Sequence, residues 1–288
     1  MDLNELRLEI DKIDDQLVQL FVQRMNISAE IADYKKAHDL PIFVPSREAE
    51  KLRDVAQKAG PDMDLYTSAL YSMLFELSRG YQSKRNASRT ELYLKISDAI
   101  GSTPKLMPKD ATIASLYEED GNVQILCQKV FGQHSIIPFK NANAVLSAVQ
   151  QGMCRYGILP ADRNIKALYD QLASLGLFIT KRFHLQNQRQ YICISKALEI
   201  YPGSDKTCIR MALVDQPGAL YKLLARLYTL NINVIGVHSR PITEQSFLRM
   251  FYFELQTSIY SEEFVQLICE LDDLCKDFSY LGSYIEVV

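Results

Sequence analysis

Nothing in this chain approaches the roughly 18 uninterrupted apolar residues of a membrane-spanning helix. Its opening, Met1-Asp2-Leu3-Asn4-Glu5-Leu6, is neither basic nor followed by an apolar run. The expectation is therefore no transmembrane helix, no secretory signal and a cytoplasmic address. Cysteine is missing from the first 126 residues, and Cys127, Cys154, Cys193, Cys208, Cys269 and Cys275 form no C-x-x-C pair. Four scattered histidines, His38, His134, His184 and His238, show no ligand spacing. Neither a disulfide framework nor a metal site is expected, and the cysteines read as free thiols in a reducing compartment. A basic excess is also lacking: 32 Lys and Arg face 35 Asp and Glu, for a formal net charge of −3. That balance argues against nucleic-acid and anionic-membrane partners. What remains is an ordinary globular mixture, 48% apolar and 23% charged over 288 residues. Two or three domains fit that length.

The chain divides into three segments. Residues 1–85 read as helix throughout, with Leu3, Leu6, Ile10, Ile13, Leu17, Leu20, Phe21, Ile27, Ile31 and Tyr34 recurring at three- and four-residue steps. No Pro or Gly interrupts before Pro41, so one helix of about 35 residues is expected, long enough to pack along a partner helix. Pro41 and Pro45 break it, Ser46 is a candidate N-cap for a short helix ending near Gly60, and a third helix should span 64–84. Residues 86–110 form a linker with one helical piece at 91–100. Residues 111–203 alternate candidate strands (112–116, 135–139, 156–159, 177–183, 191–195) with candidate helices near 122–131, 141–151 and 164–174, a small α/β lobe. A turn-rich boundary at 201–205 precedes residues 204–288. These read strand–helix–strand–strand–helix–strand (207–214, 218–230, 232–239, 247–256, 261–274, 279–287), the ferredoxin-like α+β order. The chain is thus multidomain: all-α, then α/β, then α+β.

Chemistry-bearing residues concentrate in the helical segment. Arg24 and Lys35 are eleven residues apart, close to three turns, so they share a helix face about 16 Å apart along the axis. Arg7 lies 17 residues before Arg24, about 25 Å away on a straight helix. Arg7 and Lys35 can therefore serve one small-molecule site only if a second copy supplies one of them. Arg47 and Glu48 open the short helix, and Ser78 and Gln82 face one way at i, i+4 on the third. Lys35, Ser78 and Gln82 lie on or beside apolar stripes, where lone polar groups are unfavourable.

With these residues in view, residues 1–85 resemble the all-helical chorismate mutases of the AroQ class. The resemblance rests on Leu6-Arg7, Ile10, Ile13-Asp14, Gln23-Arg24, Tyr34-Lys35, Pro41, Ser46-Arg47-Glu48, Ser78 and Gln82. Seven active-site positions of that family keep the matching type: Arg7, Arg24, Lys35, Arg47, Glu48, Ser78 and Gln82; an eighth, often Asp, is Val44 here. The resemblance implies rearrangement of chorismate to prephenate by a homodimer or larger homo-oligomer, with no cofactor. Arg7 from the partner chain, Arg24 and Arg47 would hold the substrate carboxylates, with Ser78 adding a contact. Lys35 and Gln82 would donate to the ether oxygen, and Glu48 would accept from the hydroxyl.

The three-part order resembles the bifunctional chorismate mutase–prephenate dehydratase family. Residues 141–151, 156–160 and 168–172 match the first dehydratase lobe, but the departures fall where catalysis would sit. Tyr117-Glu118-Glu119-Asp120-Gly121-Asn122 replaces the glycine-rich opening motif, and Pro160-Ala161-Asp162-Arg163 replaces P-[IL]-E-N. The Thr-Arg-Phe hallmark has no clean counterpart: Thr180-Lys181-Arg182-Phe183 carries an insertion, and the better register puts Arg189-Gln190-Tyr191 there. The second lobe is missing, so a catalytically dead domain is expected. The last segment is similar to an ACT domain of the phenylalanine-sensing kind. Gly218, Ala219 and Leu220 match its G-A-L motif and Ser239, Arg240 and Pro241 its E-S-R-P motif, with His238 in place of the acid. The resemblance implies a phenylalanine effector.

Overall fold

The computed structural model describes residues 2–86, 90–117, 121–132, 135–161, 165–185, 189–243, 247–275 and 277–287. They form two compact units, Met1–Ser88 with Leu220–Thr229, and Arg89–Ala219 with Leu230–Val288.

The first unit is built on α1 (Leu3–Ala37), α2 (Pro45–Ala59) and α3 (Asp64–Asn86). Asp2 opens α1 with a capping box. Its carboxylate accepts from the N–H groups of Asn4 and Glu5, and the Glu5 carboxylate accepts from the Asp2 N–H at 2.8 Å. The short helix does not start on Ser46. Val44 occupies the N-cap, makes no side-chain cap bond, and Pro45 is the first helical residue. Proline's fixed φ suits that position, and its missing N–H would have been unbonded there anyway. Both α1 and α2 pack on α3. On α1 the buried residues are Ser28, Ala29 and Ala32, all in its C-terminal half. Leu6, Ile10, Ile13, Leu17 and Leu20, on the N-terminal half, stay 44–62% exposed. The stripe that periodicity marks as a packing face is thus open within one chain.

The second unit begins with α4 (Glu91–Ser102), capped by the Thr90 hydroxyl, which accepts from the Tyr93 N–H. There follow β1 (Thr112–Leu116), α5 (Asn122–Phe131), β2 (Ser135–Phe139), α6 (Ala142–Gln150), β3 (Tyr156–Pro160), α7 (Ile165–Leu175), β4 (Phe178–His184) and β5 (Gln190–Ser195). The C-terminal stretch supplies β6 (Lys206–Val214), α8 (Ala219–Thr229), β7 (Asn233–Pro241), β8 (Leu248–Gln256), α9 (Glu262–Leu274) and β9 (Ser279–Val287). All but the first residue of α8 groups with the helical unit.

One nine-stranded sheet runs through the second unit in the order β2-β1-β3-β5-β4-β9-β6-β8-β7. β1 is parallel to β2 and β3, β5 is antiparallel to β3 and β4, and β9, β6, β8 and β7 pair antiparallel. The segments on either side of residues 201–205 meet where β4 pairs parallel with β9, Lys181 opposite Ile285. Their cores merge as well: Leu168, Tyr169 and Leu172 of α7 share one apolar cluster with Cys208, Met250, Tyr252, Leu281 and Tyr284. Side chains alternate across a strand. On β8, Met250, Tyr252 and Glu254 are buried on one face and Phe251, Phe253 and Leu255 on the other. A strand buried on both faces needs cover on both, and the α7 cluster provides one of the two.

Candidate active site

Four of the seven sequence-assigned residues fall into two pairs in the first unit, Arg24 with Ser78 by a hydrogen bond and Lys35 with Glu48 by neighbouring charge. Arg24, in the C-terminal half of α1, donates from Nη1 to the Ser78 Oγ at 2.5 Å and to the Leu74 carbonyl at 3.3 Å. The same guanidinium lies 5.8 Å from the Phe75 ring centre. Burial lowers the Arg24 pKa, and Tyr71 acts weakly the other way. Lys35 closes the last turn of α1 and donates from Nζ to the Ile42 carbonyl at 2.6 Å, which ties it to the α1–α2 loop. Its pKa is also lowered by burial, partly offset by the Glu48 carboxylate. The nearness to Glu48 brings the first turn of α2 to the end of α1.

Gln82 is buried one turn beyond Ser78 on α3, and its Oε1 has no hydrogen-bond partner. Leaving a buried polar atom unbonded costs about 1–3 kcal/mol, so a side chain held this way is better suited to meeting a ligand than to supporting the fold. Arg47 joins neither pair: it is exposed and bonds Glu50 at 3.0 Å. Arg7 stands on the open N-terminal half of α1. Val44, at the N-cap of α2, adds no polar group.

Two participants escaped the sequence reading. Arg79 donates from one arm to Glu48 and from the other to Glu76, and its guanidinium lies 4.9 Å from the Phe43 ring centre. All three charged side chains are largely buried. The available signal was Glu76-x-x-Arg79, an i, i+3 acid–base pair that brackets Ser78. Burial raises the Glu76 pKa, and the cations Arg79 and Lys222 oppose that shift.

The remaining assigned residues lie in the second unit, except Leu220, which groups with the first. Gly218 takes φ 86 in the turn before α8, a left-handed conformation in which a side chain would be strained. Ala219 starts α8 and Leu220 follows it. Ser239, Arg240 and Pro241 end β7. Arg240 is committed to α7: its Nε and Nη2 donate to the Asp170 Oδ2 at 2.9 and 2.5 Å, and its Nη1 donates to the Pro241 carbonyl. Asp170 also accepts from the Tyr252 hydroxyl at 2.7 Å and faces the Arg210 Nε at 2.8 Å.

In the middle segment Thr180 is fully buried and donates to the Cys193 carbonyl. Arg182 bonds Glu254 at 2.6 Å and Gln190 at 2.8 Å. Tyr191 is buried in the core around Ile113 and Phe131. Of the two replaced motifs, Glu118, Glu119, Asp120, Asp162 and Arg163 lie outside the described residues. Among the described residues no group of three or more His, Cys, Asp or Glu is arranged to hold a metal ion, and no helix is long and apolar enough to cross a membrane.

Residues 6–83 match the family described as chorismate mutase type II. That range contains all seven residues assigned above. Over almost its whole length the chain is similar to the bifunctional chorismate mutase/prephenate dehydratase of Aquifex aeolicus, 23% identical with 98% of each chain covered. The alignment spans 353 positions against the 288 residues here, so the relative has stretches with no counterpart in this chain. The T-protein of Haemophilus influenzae is 39% identical over 77 residues, 26% of this chain, and the chain spans only 20% of it. Two solved structures share the fold at low identity. A chain described as a novel type of quorum quenching acylase has TM-score 0.51 at 22% identity, covering 60% of this chain and 94% of its own. A prephenate dehydratase from Arthrobacter aurescens in complex with L-Phe has TM-score 0.51 at 15% identity, covering 60% and 89%. The chain therefore carries a chorismate mutase domain followed by a mixed α/β region similar to prephenate dehydratases.

Proposed function

We propose that the protein is a chorismate mutase that forms prephenate for aromatic amino-acid synthesis, regulated by an aromatic amino acid. The observation that carries this reading is the half-buried pairs Arg24–Ser78 and Lys35–Glu48, with the buried Gln82 whose Oε1 has no partner, within the segment matched to chorismate mutase type II. The rearrangement breaks one C–O bond as one C–C bond forms, with no net proton transfer, so catalysis reduces to orientation and charge placement. Arg24, supported by Ser78, suits one carboxylate of the dianion; Arg47 and the partner's Arg7 suit the other. Lys35 and Gln82 are assigned to the ether oxygen, where negative charge grows in the transition state. Glu48 is assigned as acceptor for the substrate hydroxyl. The open apolar stripe of α1 supports a dimer in which each N-terminal half lies along the other chain, bringing Arg7 to the second copy's site.

Residues 1–85 are assigned to the mutase, 86–110 to a linker, 111–203 to a single dehydratase-like lobe and 204–288 to an ACT-type regulatory domain. The order β9-β6-β8-β7, all antiparallel, supports the ferredoxin-like reading of the last segment. Phenylalanine is the effector we assign, in keeping with the L-Phe bound by the Arthrobacter dehydratase. The lobe is read as lacking dehydratase activity, because Arg189 stands where the Thr-Arg-Phe hallmark has its threonine and the catalytic hydroxyl is lost. A second reading, a working bifunctional enzyme, is favoured by the 98% coverage of the Aquifex relative. Purified protein given prephenate separates the two: phenylpyruvate forms only if the lobe is active.

A further inference from the structure

We propose that Arg79 is a positioning residue for the mutase site, aiming the Glu48 carboxylate at the substrate. The inference rests on the mutase reading, since it gives Glu48 its task. A guanidinium spreads its donors in one rigid plane, so it can fix two carboxylates at once where a lysine would hold them loosely. Arg79 uses that geometry, with Glu48 of α2 on one arm and Glu76 of its own helix on the other. The Phe43 ring beneath the guanidinium fixes the plane. Arg79 also follows Ser78 directly and precedes Gln82 by three residues, so its backbone belongs to the site-bearing turns of α3.

The groups around Glu48 explain why an orienting cation is needed. Lys35 approaches it from α1. Glu76 repels it from α3, and Lys222 of α8 faces Glu76. Without Arg79 the two carboxylates would repel each other, and Glu48 would turn toward the Lys35 ammonium. That rotation would neutralise the donor assigned to the ether oxygen and withdraw the acceptor assigned to the hydroxyl.

A double-mutant cycle tests this, using Arg79→Gln, Arg79→Lys, Glu48→Gln and the Arg79→Gln/Glu48→Gln pair in the full chain. Arg79→Gln is expected to lower kcat about 10- to 100-fold, the scale of a misplaced catalytic group, with a smaller change in KM. Arg79→Lys should recover part of the loss. In the Glu48→Gln background the Arg79→Gln change should cost little further activity. Equal losses in both backgrounds, or wild-type kcat in Arg79→Gln, would overturn the proposal. A second measurement does not depend on activity. Arginine side-chain ¹⁵N spectra should show an Arg79 guanidinium with hindered rotation in the wild type and freer rotation in Glu48→Gln. Unchanged spectra would overturn the proposal even if Arg79→Gln failed to fold. A wild type that leaves chorismate intact while passing the spectral test would defeat the mutase reading and leave the Arg79–Glu48 link standing.

Discussion

Lys35 and Gln82 stand apart from the other polar residues of the helical unit because neither has the arrangement that stability alone would select. Lys35 keeps a single 2.6 Å bond to a loop carbonyl in surroundings that disfavour its charge, and the Gln82 oxygen is buried without a partner. Removing a transition-state donor typically costs about 10²–10³ in rate. Lys35→Ala is expected to lose at least that much kcat while circular dichroism stays unchanged; near-normal turnover would remove Lys35 from the site. The thiols give a pH expectation of known sign. Burial pushes Cys127 and Cys193 up to about 12 from an ordinary 9.0. Their folded pKa lies above the unfolded one, so the stability they contribute is complete below pH 9 and is lost as pH rises toward 12. Urea midpoints should therefore hold between pH 7 and 8.5 and fall above pH 10, and a flat alkaline profile would contradict this. Helix spacing alone puts Arg24 with Lys35 and Ser78 with Gln82 on shared faces, and the resemblance, not the spacing, joins Arg7, Arg47 and Glu48 to them. Arg79 could not be read from the sequence, since its meaning depends on Glu48, 31 residues away and on another helix.

Among the elements, α1 holds most of the functional argument. Its N-terminal half exposes an apolar stripe and carries Arg7, while its C-terminal half holds Arg24 and Lys35 against the rest of the unit. A charge placed on the stripe, as in Leu17→Glu, is expected to shift the chain to monomer by analytical ultracentrifugation and to abolish mutase activity. Arg7→Ala and Arg24→Ala homodimers should each be inactive, yet co-expression should restore activity, because one site of each hybrid keeps both arginines. No recovery in verified hybrids would place Arg7 outside the site. Helix and strand positions were legible from periodicity, with ends differing by a residue or two. Ser46 is a good cap by type, but Pro45 needs no N–H and takes the first helical position, so α2 starts two residues earlier than a Ser46 cap implies.

Across the whole molecule, the unexpected feature is the continuity of the second unit. A turn-rich stretch at 201–205 reads as a domain boundary, yet one sheet and one core run across it. The β4–β9 pairing joins residues about a hundred positions apart, which no local pattern encodes. The joint is polar as well as apolar: Glu254 of β8 accepts from Arg182 of β4 and from Tyr169 of α7, and Asp170 holds Arg210 and Arg240. Removing one partner of a largely buried pair costs about 3–5 kcal/mol. Glu254→Ala should destabilise the second unit by that order in urea unfolding, and a loss under about 1 kcal/mol would show that the network does not support the joint. This arrangement gives α7 and β4 a structural task in covering and pairing with the C-terminal strands.

The most direct measurement gives chorismate to the purified full-length protein and follows its loss together with prephenate and phenylpyruvate, with and without phenylalanine. Prephenate accumulating alone, at a rate that phenylalanine changes, is the expected result. Chorismate left untouched by folded, dimeric protein would contradict the central assignment.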